Sequence, residues 1–541
     1  MSNSVLKGGL LGSAAAVLLA TTFVAPAYAI TPLYSGGGTL AEKVYRDIMN
    51  CYGNHSGGDT TANLAAPPAT CNLATPYNNG VELLYAGVGS GNGLTSYDTD
   101  DASHLTDIPS GSTSKKADNP PVPSTSDFGP FYGTGTGASW VPNGDDSGPF
   151  FPKMSFAGSD DPLGASNITA YNTNKNGWGA PIQFPGVIAA VALPYSPSTV
   201  DTWREAGVKP TGGSSNLDLS TNTWCGIFTG AITDWSDSEI KADNNGRALV
   251  GGPANGNTHP ITVVYRSDGS GTTFLESNAL IHQCNDTDHP STHPIPAEWL
   301  SASGNSANAG NTKFFLNVAA GPGLPSNFVG QSGSKALRDF VHNNNGSISY
   351  VSPDFVLPVD TGATTVKSAN MQTWASFVAG GKKWVAPTAT TAADIMVGVA
   401  PPSAHKASCP IGTGFGQSPD GRCSHNALNW GVTQPKPASK GAWPAGGFTF
   451  IDMYTCYHDA GDVDALVGTA SGSEGYFPWY YGTSAVNGGL PGNSLASNGF
   501  APVPGNWKTA IISLLTSDLQ TKVSTPRTRR TGCLGVKGTG A

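Results

Sequence analysis

Tyr265-Arg266-Ser267-Asp268-Gly269-Ser270-Gly271-Thr272-Thr273-Phe274-Leu275 joins two kinds of pattern. Ile261, Val263 and Val264 before it have the spacing of a short strand, and Thr273, Phe274, Leu275, Leu280 and Ile281 after it fit the start of a helix. Between them lies Asp-Gly-Ser-Gly-Thr-Thr, whose glycines let the backbone turn tightly and approach a ligand closely. A strand, a glycine turn and a helix in succession are the repeating unit of α/β proteins. Ser270, Thr272 and Thr273 bring hydroxyls and N–H groups to a helix N-terminus, where orphan donors and the helix dipole favour an anion. Arg266 adds a fixed positive fork suited to a tetrahedral oxyanion, and Asp268 is close enough in sequence to brace it. The loop is not a Walker A motif, because no Gly-Lys-Ser/Thr follows. Taken alone, such a turn is equally an ordinary connection between a strand and a helix.

Composition narrows what surrounds this loop. Charged residues make up only 12% of the 541, with 70 Gly and 41 Pro, which excludes coiled coils and helical repeats and implies a loop-rich chain. Disorder throughout is excluded by 38% hydrophobic residues, including 12 Trp, 17 Tyr and 20 Phe. A net charge of −9 with no basic domain argues against nucleic acid as a partner. The one basic cluster, Arg527, Arg529 and Arg530, reads as a solvated tail.

Residues 1–29 have the form of a secretory signal: Lys7, an Ala/Leu-rich core over 10–24, and Ala27-Tyr28-Ala29 as a small-x-small cleavage site. Cleavage after Ala29 and a periplasmic or secreted mature chain are expected. No later stretch reaches the ~18 apolar residues of a membrane span, so no membrane insertion is expected. Eight cysteines follow the signal, an even number that in an exported chain suggests disulfides. Pairing of neighbours gives Cys51–Cys71, Cys225–Cys284, Cys409–Cys423 and Cys456–Cys533, one arrangement among about 105. Zinc is the competing reading, although no two cysteines have Cys-x-x-Cys spacing. His282, His289 and His293 and the Asp145-Asp146 pair stand as candidate cation ligands against a reading as plain loops, and no metal or cofactor is assigned.

The anchor pattern recurs along the chain. Gly36-Gly37-Gly38-Thr39-Leu40 precedes a helix expected over 41–49, with Thr39 at its cap and Glu42 in its first turn. A strand expected over 81–88 ends in Gly89-Ser90-Gly91, and a strand from Met154 ends in Ala157-Gly158-Ser159-Asp160, with Asp161 beside it. The apolar run 186–195 suits a strand buried on both faces, as in a parallel sheet. Residues 224–235 read as a helix followed by a turn, helices are expected over 333–343 and 507–515, and strands over 346–351 and 448–454. Polar, Gly/Pro/Ser-rich stretches over 97–152, 285–330 and 400–442 read as long loop insertions. Together these predict the α/β class with mainly parallel pairing.

Set in this order, the motifs Gly38-Thr39-Leu40, Gly89-Ser90-Gly91, Ala157-Gly158-Ser159-Asp160 and Arg266-Ser267-Asp268-Gly269-Ser270-Gly271-Thr272 resemble the periplasmic phosphate-binding proteins of ABC transporters. So do Gly346-Ser347-Ile348-Ser349-Tyr350-Val351 and Phe500-Ala501-Pro502-Val503-Pro504. The block Gly226-Ile227-Phe228-Thr229-Gly230-Ala231-Ile232-Thr233-Asp234-Trp235 and the Cys225–Cys284 pair look like the DING subgroup of that family. The resemblance spans residues 33–515. It implies a two-lobed type II periplasmic-binding-protein fold with a two-stranded hinge. Lobe I would comprise 30–188 plus 440–541, and lobe II 189–439. It also implies a monomer that binds inorganic phosphate through Thr39, Leu40, Ser90, Asp160, Arg266, Ser270, Gly271 and Thr272, with Asp268 bracing the arginine. An ABC-transporter permease is the implied partner. The long insertions and eight cysteines depart from a compact transport partner and leave extracellular scavenging open.

Asp160 carries the chemical argument. A carboxylate beside an anion repels it unless the anion has a proton to donate, as hydrogen phosphate does and sulfate does not. Two other classes fit parts of the sequence. A phosphatase would need a nucleophile–base pair or a metal cluster, neither of which is evident. An extracellular interaction or adhesion protein would use aromatic stretches such as Pro478-Trp479-Tyr480-Tyr481.

Overall fold

The computed structural model describes residues 31–53, 77–99, 154–174, 180–196, 216–249, 259–299, 324–360, 365–402, 424–468, 474–482 and 490–515, apart from isolated positions within them. Among the described residues, strands and helices alternate around three sheets. The largest sheet has the order β14 (Ala501–Pro502), β4 (Ile182–Ala190), β13 (Gly446–Met453), β3 (Phe156–Ser159), β1 (Thr31–Gly37), β2 (Val81–Gly87). The second has the order β10 (Lys367–Ser368), β5 (Pro194–Tyr195), β9 (Ser347–Ile348), β7 (Thr262–Arg266), β8 (Phe328–Gln331). A small third sheet joins β12 (Trp384–Val385), β11 (Asn370–Gln372) and β6 (Asp218–Leu219).

Pairing is parallel where a glycine turn and helix intervene, and antiparallel at the crossing between sheets. β1 runs parallel to β2 and β3, and β7 parallel to β8 and β9. β4 is antiparallel to both neighbours, β13 and β14. This corrects the expectation of mainly parallel pairing. Every residue of β4 is buried, but that reflects cover on both faces rather than strand direction. β13 returns from the other lobe, so its direction is set by the long-range path of the chain.

The chain leaves the first sheet at Ala190 and enters the second at Pro194; residues 443–445 lead back into the first sheet at β13, after residues 389–393 and 427–430 have already packed against β4. The two passages are tied side by side. Val191 donates its N–H to Ala445 O at 2.8 Å, and the buried Trp443 Nε1 donates to Val191 O at 2.9 Å. Ala192 bridges Val351 of the second lobe. This is a two-stranded hinge between two α/β lobes.

Four helices begin at the interlobe face: α1 (Glu42–Tyr52) and α2 (Ser90–Thr99) on the first sheet, and two more, Gly271–Cys284 and Ser334–Asn343, on the second. α1 forms because Val44, Tyr45, Ile48 and Met49 fall on one face and bury together, with Glu42 in the first turn. The N-cap residue is Ala41 and makes no side-chain cap bond, so Thr39 is not the cap expected; its hydroxyl turns to the other lobe. The helix Thr221–Thr229 is capped by the Ser220 side chain and ends at Gly230 in the left-handed conformation. Cys225 and Cys284 form a disulfide between it and Gly271–Cys284. Cys51 is also disulfide-bonded; Cys71, Cys409, Cys423, Cys456 and Cys533 lie outside the described residues.

The insertions, the aromatic run and the histidines take definite places in the fold. α2 runs to Thr99 and β8 is a strand, so both enter stretches read as insertions. Trp479, Tyr480 and Tyr481 are buried in a short helix, Tyr476–Tyr481, with the Tyr481 hydroxyl donating to Pro185 O at 2.6 Å. They belong to the core of the first lobe, where aromatic area stabilises most, and not to an adhesive surface. The histidines go to local partners: His282 contacts Asn278 O, His289 sits beside Asp286, and His293 Nε2 lies 3.0 Å from Glu239. Asp145 and Asp146 lie outside the described residues.

Candidate anion-binding cleft

The site is built from turns that each end a strand and open a helix. β1 leads through Gly38, Thr39 and Leu40 into α1, and β2 leads through Gly89 into Ser90. Gly89 has φ +88°, and a Cβ there would meet Gly269 O of the other lobe at 2.9 Å, so glycine is required by conformation and by close approach. β7 leads through Asp268, Gly269 and Ser270 into Gly271–Cys284; β8 leads through Gly333 into Ser334–Asn343. N–H groups from four helix starts therefore converge between the lobes.

Thr39, Leu40, Ser90, Asp160, Arg266, Asp268 and Gly271 meet in this cleft, with Ser270 and Thr272 flanking Gly271 at its helix start, and all are buried or largely so. Arg266, 1% exposed, is the fixed charge. Its Nε donates to Asp268 Oδ1 at 2.7 Å and its Nη2 to Oδ2 at 2.5 Å, a bidentate pair. Nη1 donates to Thr39 Oγ1 at 3.2 Å and to Ser334 Oγ at 3.1 Å. Asp268 Oδ1 also accepts Gly333 N–H at 3.1 Å. Burial raises the Asp268 carboxyl, but the Arg266 charge and these hydrogen bonds hold it below its ordinary value.

Asp160 lies opposite. Ser90 Oγ accepts N–H groups from Asp160, at 3.1 Å, and from Gly271, at 3.2 Å, and so joins the two lobes. The Ser90 hydroxyl also faces Asp160 Oδ2 at 3.4 Å, and Leu40 N–H reaches the same carboxylate. A Cβ on Gly271 would fall 2.4 Å from Ser90 Oγ and 2.5 Å from Asp160 Cβ, so this closure needs glycine there. Burial pushes the Asp160 carboxyl up to about 7, against the lowering effect of Arg266 and Ser90. Asp161 beside it is only partly buried.

Ser270 caps its helix by accepting Thr273 N–H at 3.3 Å. Among the described residues the buried Thr272 Oγ1 finds no hydrogen-bond partner, which is costly unless a ligand supplies one. The arrangement thus offers a guanidinium, hydroxyls, N–H groups and one buried carboxylate to a small oxyanion.

Three supporting residues were not singled out from the sequence. The Tyr350 hydroxyl accepts Arg266 N–H at 2.9 Å and lies 2.9 Å from Thr273 Oγ1, holding the strand end to the helix start. The Tyr85 hydroxyl donates to Gly38 O at 2.8 Å and fixes the first turn. Ser334 opens a helix after a glycine, the same local grammar as the other three turns, and that signal was present.

A family model described as the PBP superfamily domain matches residues 55–396. A phosphate-binding protein from an unknown prokaryotic organism is 30% identical over 397 residues, covering 72% of this chain and 88% of that protein. Alkaline phosphatase L of Pseudomonas aeruginosa strain UCBPP-PA14 is 26% identical over 506 residues, 93% of each chain. Among solved structures, a high affinity periplasmic phosphate-binding protein (PfluDING) bound with phosphate superposes with TM-score 0.52 at 23% identity, covering 89% of this chain and 93% of that one. The fold is that of the two-lobed periplasmic binding proteins. Within the PBP superfamily, the chain belongs to the phosphate-binding protein family.

Proposed function

We propose that the chain captures inorganic phosphate in the interlobe cleft, through Thr39, Leu40, Ser90, Asp160, Arg266, Ser270, Gly271 and Thr272, with Asp268 holding the arginine. One observation carries the reading: a fully buried carboxylate, Asp160, shares a closed cleft with a buried guanidinium and a ring of N–H and hydroxyl donors. The donors and the charge suit a tetrahedral oxyanion. The carboxylate suits only one that keeps a proton to give, so hydrogen phosphate is admitted and sulfate is left with an acceptor facing an acceptor. The name of the 30% identical relative, a phosphate-binding protein, supports the same ligand.

Capture rather than hydrolysis is the reading for the Alkaline phosphatase L relatives' fold as it stands in this chain. Among the described residues no histidine is hydrogen-bonded to Thr39, Ser90, Ser270 or Thr272, and the Asp160 carboxylate that faces the Ser90 hydroxyl at 3.4 Å is the acceptor assigned above to the proton of the anion. Export through residues 1–29 with cleavage after Ala29, a monomeric state, and delivery to an ABC-transporter permease or extracellular scavenging complete the proposal. The test is retention of radiolabelled phosphate by gel-filtered protein. Wild type retains it and Arg266→Ala does not. Turnover of p-nitrophenyl phosphate that survives purification and disappears in Arg266→Ala would replace capture with hydrolysis.

A further inference from the structure

Ser334 lies outside every motif that carries the family resemblance, yet it is 1% exposed at the centre of the cleft. It is the first residue of its helix, after Gly333 at φ +86°, and that helix has no side-chain cap. A serine so placed can serve its own helix terminus. Here the hydroxyl turns instead to Arg266 Nη1 at 3.1 Å and to Thr39 Oγ1 at 3.2 Å. The neighbouring Gly333 N–H meets Asp268 Oδ1 at 3.1 Å. One helix start therefore holds both members of the Arg266–Asp268 pair, the guanidinium by a hydroxyl and the carboxylate by an N–H.

The proton count in this triangle matters. Arg266 Nη1 donates to both oxygens, so both hydroxyls accept from it. The Thr39–Ser334 contact needs one further proton, from one hydroxyl or the other. When Ser334 supplies it, the proton of Thr39 is directed away from the triangle. Thr39 comes from the first lobe and Ser334 from the second, so the arrangement forms only when the lobes are closed.

We propose that Ser334 is a positioning residue for the anion site: it locks the Arg266 fork on the side opposite Asp268 and, across the cleft, turns the Thr39 hydroxyl into a donor for the bound anion. This rests on the phosphate reading above. Because the triangle forms after closure, its loss acts on release and not on encounter.

The experiment is stopped-flow measurement of phosphate association and dissociation in wild type, Ser334→Ala, Ser334→Thr, Thr39→Val and the Thr39→Val/Ser334→Ala double variant. Ser334→Ala is expected to release phosphate about tenfold faster, the scale of one hydrogen bond to a charged group, with association within about twofold of wild type. Ser334→Thr restores slow release. In the Thr39→Val background, Ser334→Ala changes release by less than about threefold, because the partner it orients is gone. A serine with a merely structural role would lower thermal stability without this coupling. Unchanged release in Ser334→Ala, a loss expressed wholly in association, or full additivity with Thr39→Val would overturn the inference. Should Ser334→Ala fold poorly, Ser334→Cys keeps the volume, weakens the hydrogen bonds and carries the same expectation. Wild-type protein that does not bind phosphate would fail the site reading itself; normal wild-type binding with an indifferent Ser334→Ala fails this inference alone.

Discussion

Replacing Asp160 by asparagine keeps the shape of the cleft and changes one property, the ability to accept a proton without offering one. In the structure the carboxylate is buried, receives Leu40 N–H, and has the Ser90 hydroxyl at 3.4 Å. An asparagine oxygen can keep those donors, which turns its NH₂ toward the anion. Phosphate then loses a charge-assisted bond, about 1.5–3 kcal/mol or ~10–150-fold in affinity. Sulfate gains a donor where it had faced an acceptor, so the phosphate-to-sulfate ratio narrows by ~10²–10⁴. The acidity of Asp160 adds a pH test. Burial raises its carboxyl to about 7, so the group is charged above that pH and neutral below it. A neutral carboxyl can donate, so wild-type affinity for sulfate should rise as pH falls through about 7, by at most about tenfold per pH unit. Asp160→Asn should be flat over the same range. Calorimetric titration with each anion between pH 5 and 9 reads both effects. An unchanged selectivity ratio in the variant, or wild-type sulfate binding that ignores pH, would refute the argument.

Three further outcomes follow from the same geometry. Arg266→Lys cannot reproduce the two-pronged contact with Asp268 while reaching Thr39 and Ser334, and phosphate affinity should drop by about 100-fold or more in the same titration; a loss under about threefold would show that a point charge suffices. Burial raises the Glu276 carboxyl to about 8 although Trp224 Nε1 donates to it at 2.9 Å. Its folded value lies above the unfolded one, so the cost of charging it is absent below about pH 4.5, grows as pH rises to about 8 and stays in full above that. Glu276→Gln should therefore raise the melting temperature at pH 9 by about 2–8 °C and leave it unchanged at pH 4, and a loss at both would contradict the assignment. The Cys225–Cys284 disulfide closes a sequence separation of 59 residues. Replacing both by serine should cost about 4 kcal/mol of stability while phosphate affinity, measured well below the melting temperature, stays within about twofold.

What was legible in the sequence was local. Each site turn is a strand end, a glycine and a hydroxyl residue at a helix start, all within a few residues, and Arg266 and Asp268 are two apart. Those relations survive in one dimension because neighbours in sequence must be neighbours in space. The relations that join different turns were not legible. Ser90 Oγ meeting Gly271 N–H, and Ser334 meeting Thr39, depend on how the two lobes close. Ser334 carried the same signal as Ser90, a glycine followed by a hydroxyl, but its partners lie far away in the chain. The direction of β4 against β13 was hidden for a similar reason: the apolar run 186–195 records burial on both faces and is silent about the strand beside it. Thr39 read as a helix cap because cap and ligand hydroxyls look alike beside a glycine turn. Trp479, Tyr480 and Tyr481 could stand as the surface of a competing adhesion reading because a short aromatic run has no period to reveal its cover.

The central claim is that this cleft selects phosphate by giving a buried acceptor to an anion that carries a proton. The direct measurement is calorimetric titration of phosphate-stripped protein at pH 8, where Asp160 is charged, first with phosphate and then with sulfate. The account predicts one-site phosphate binding with no heat from sulfate at the same concentrations. Binding of both anions with similar affinity, or of neither, would contradict it.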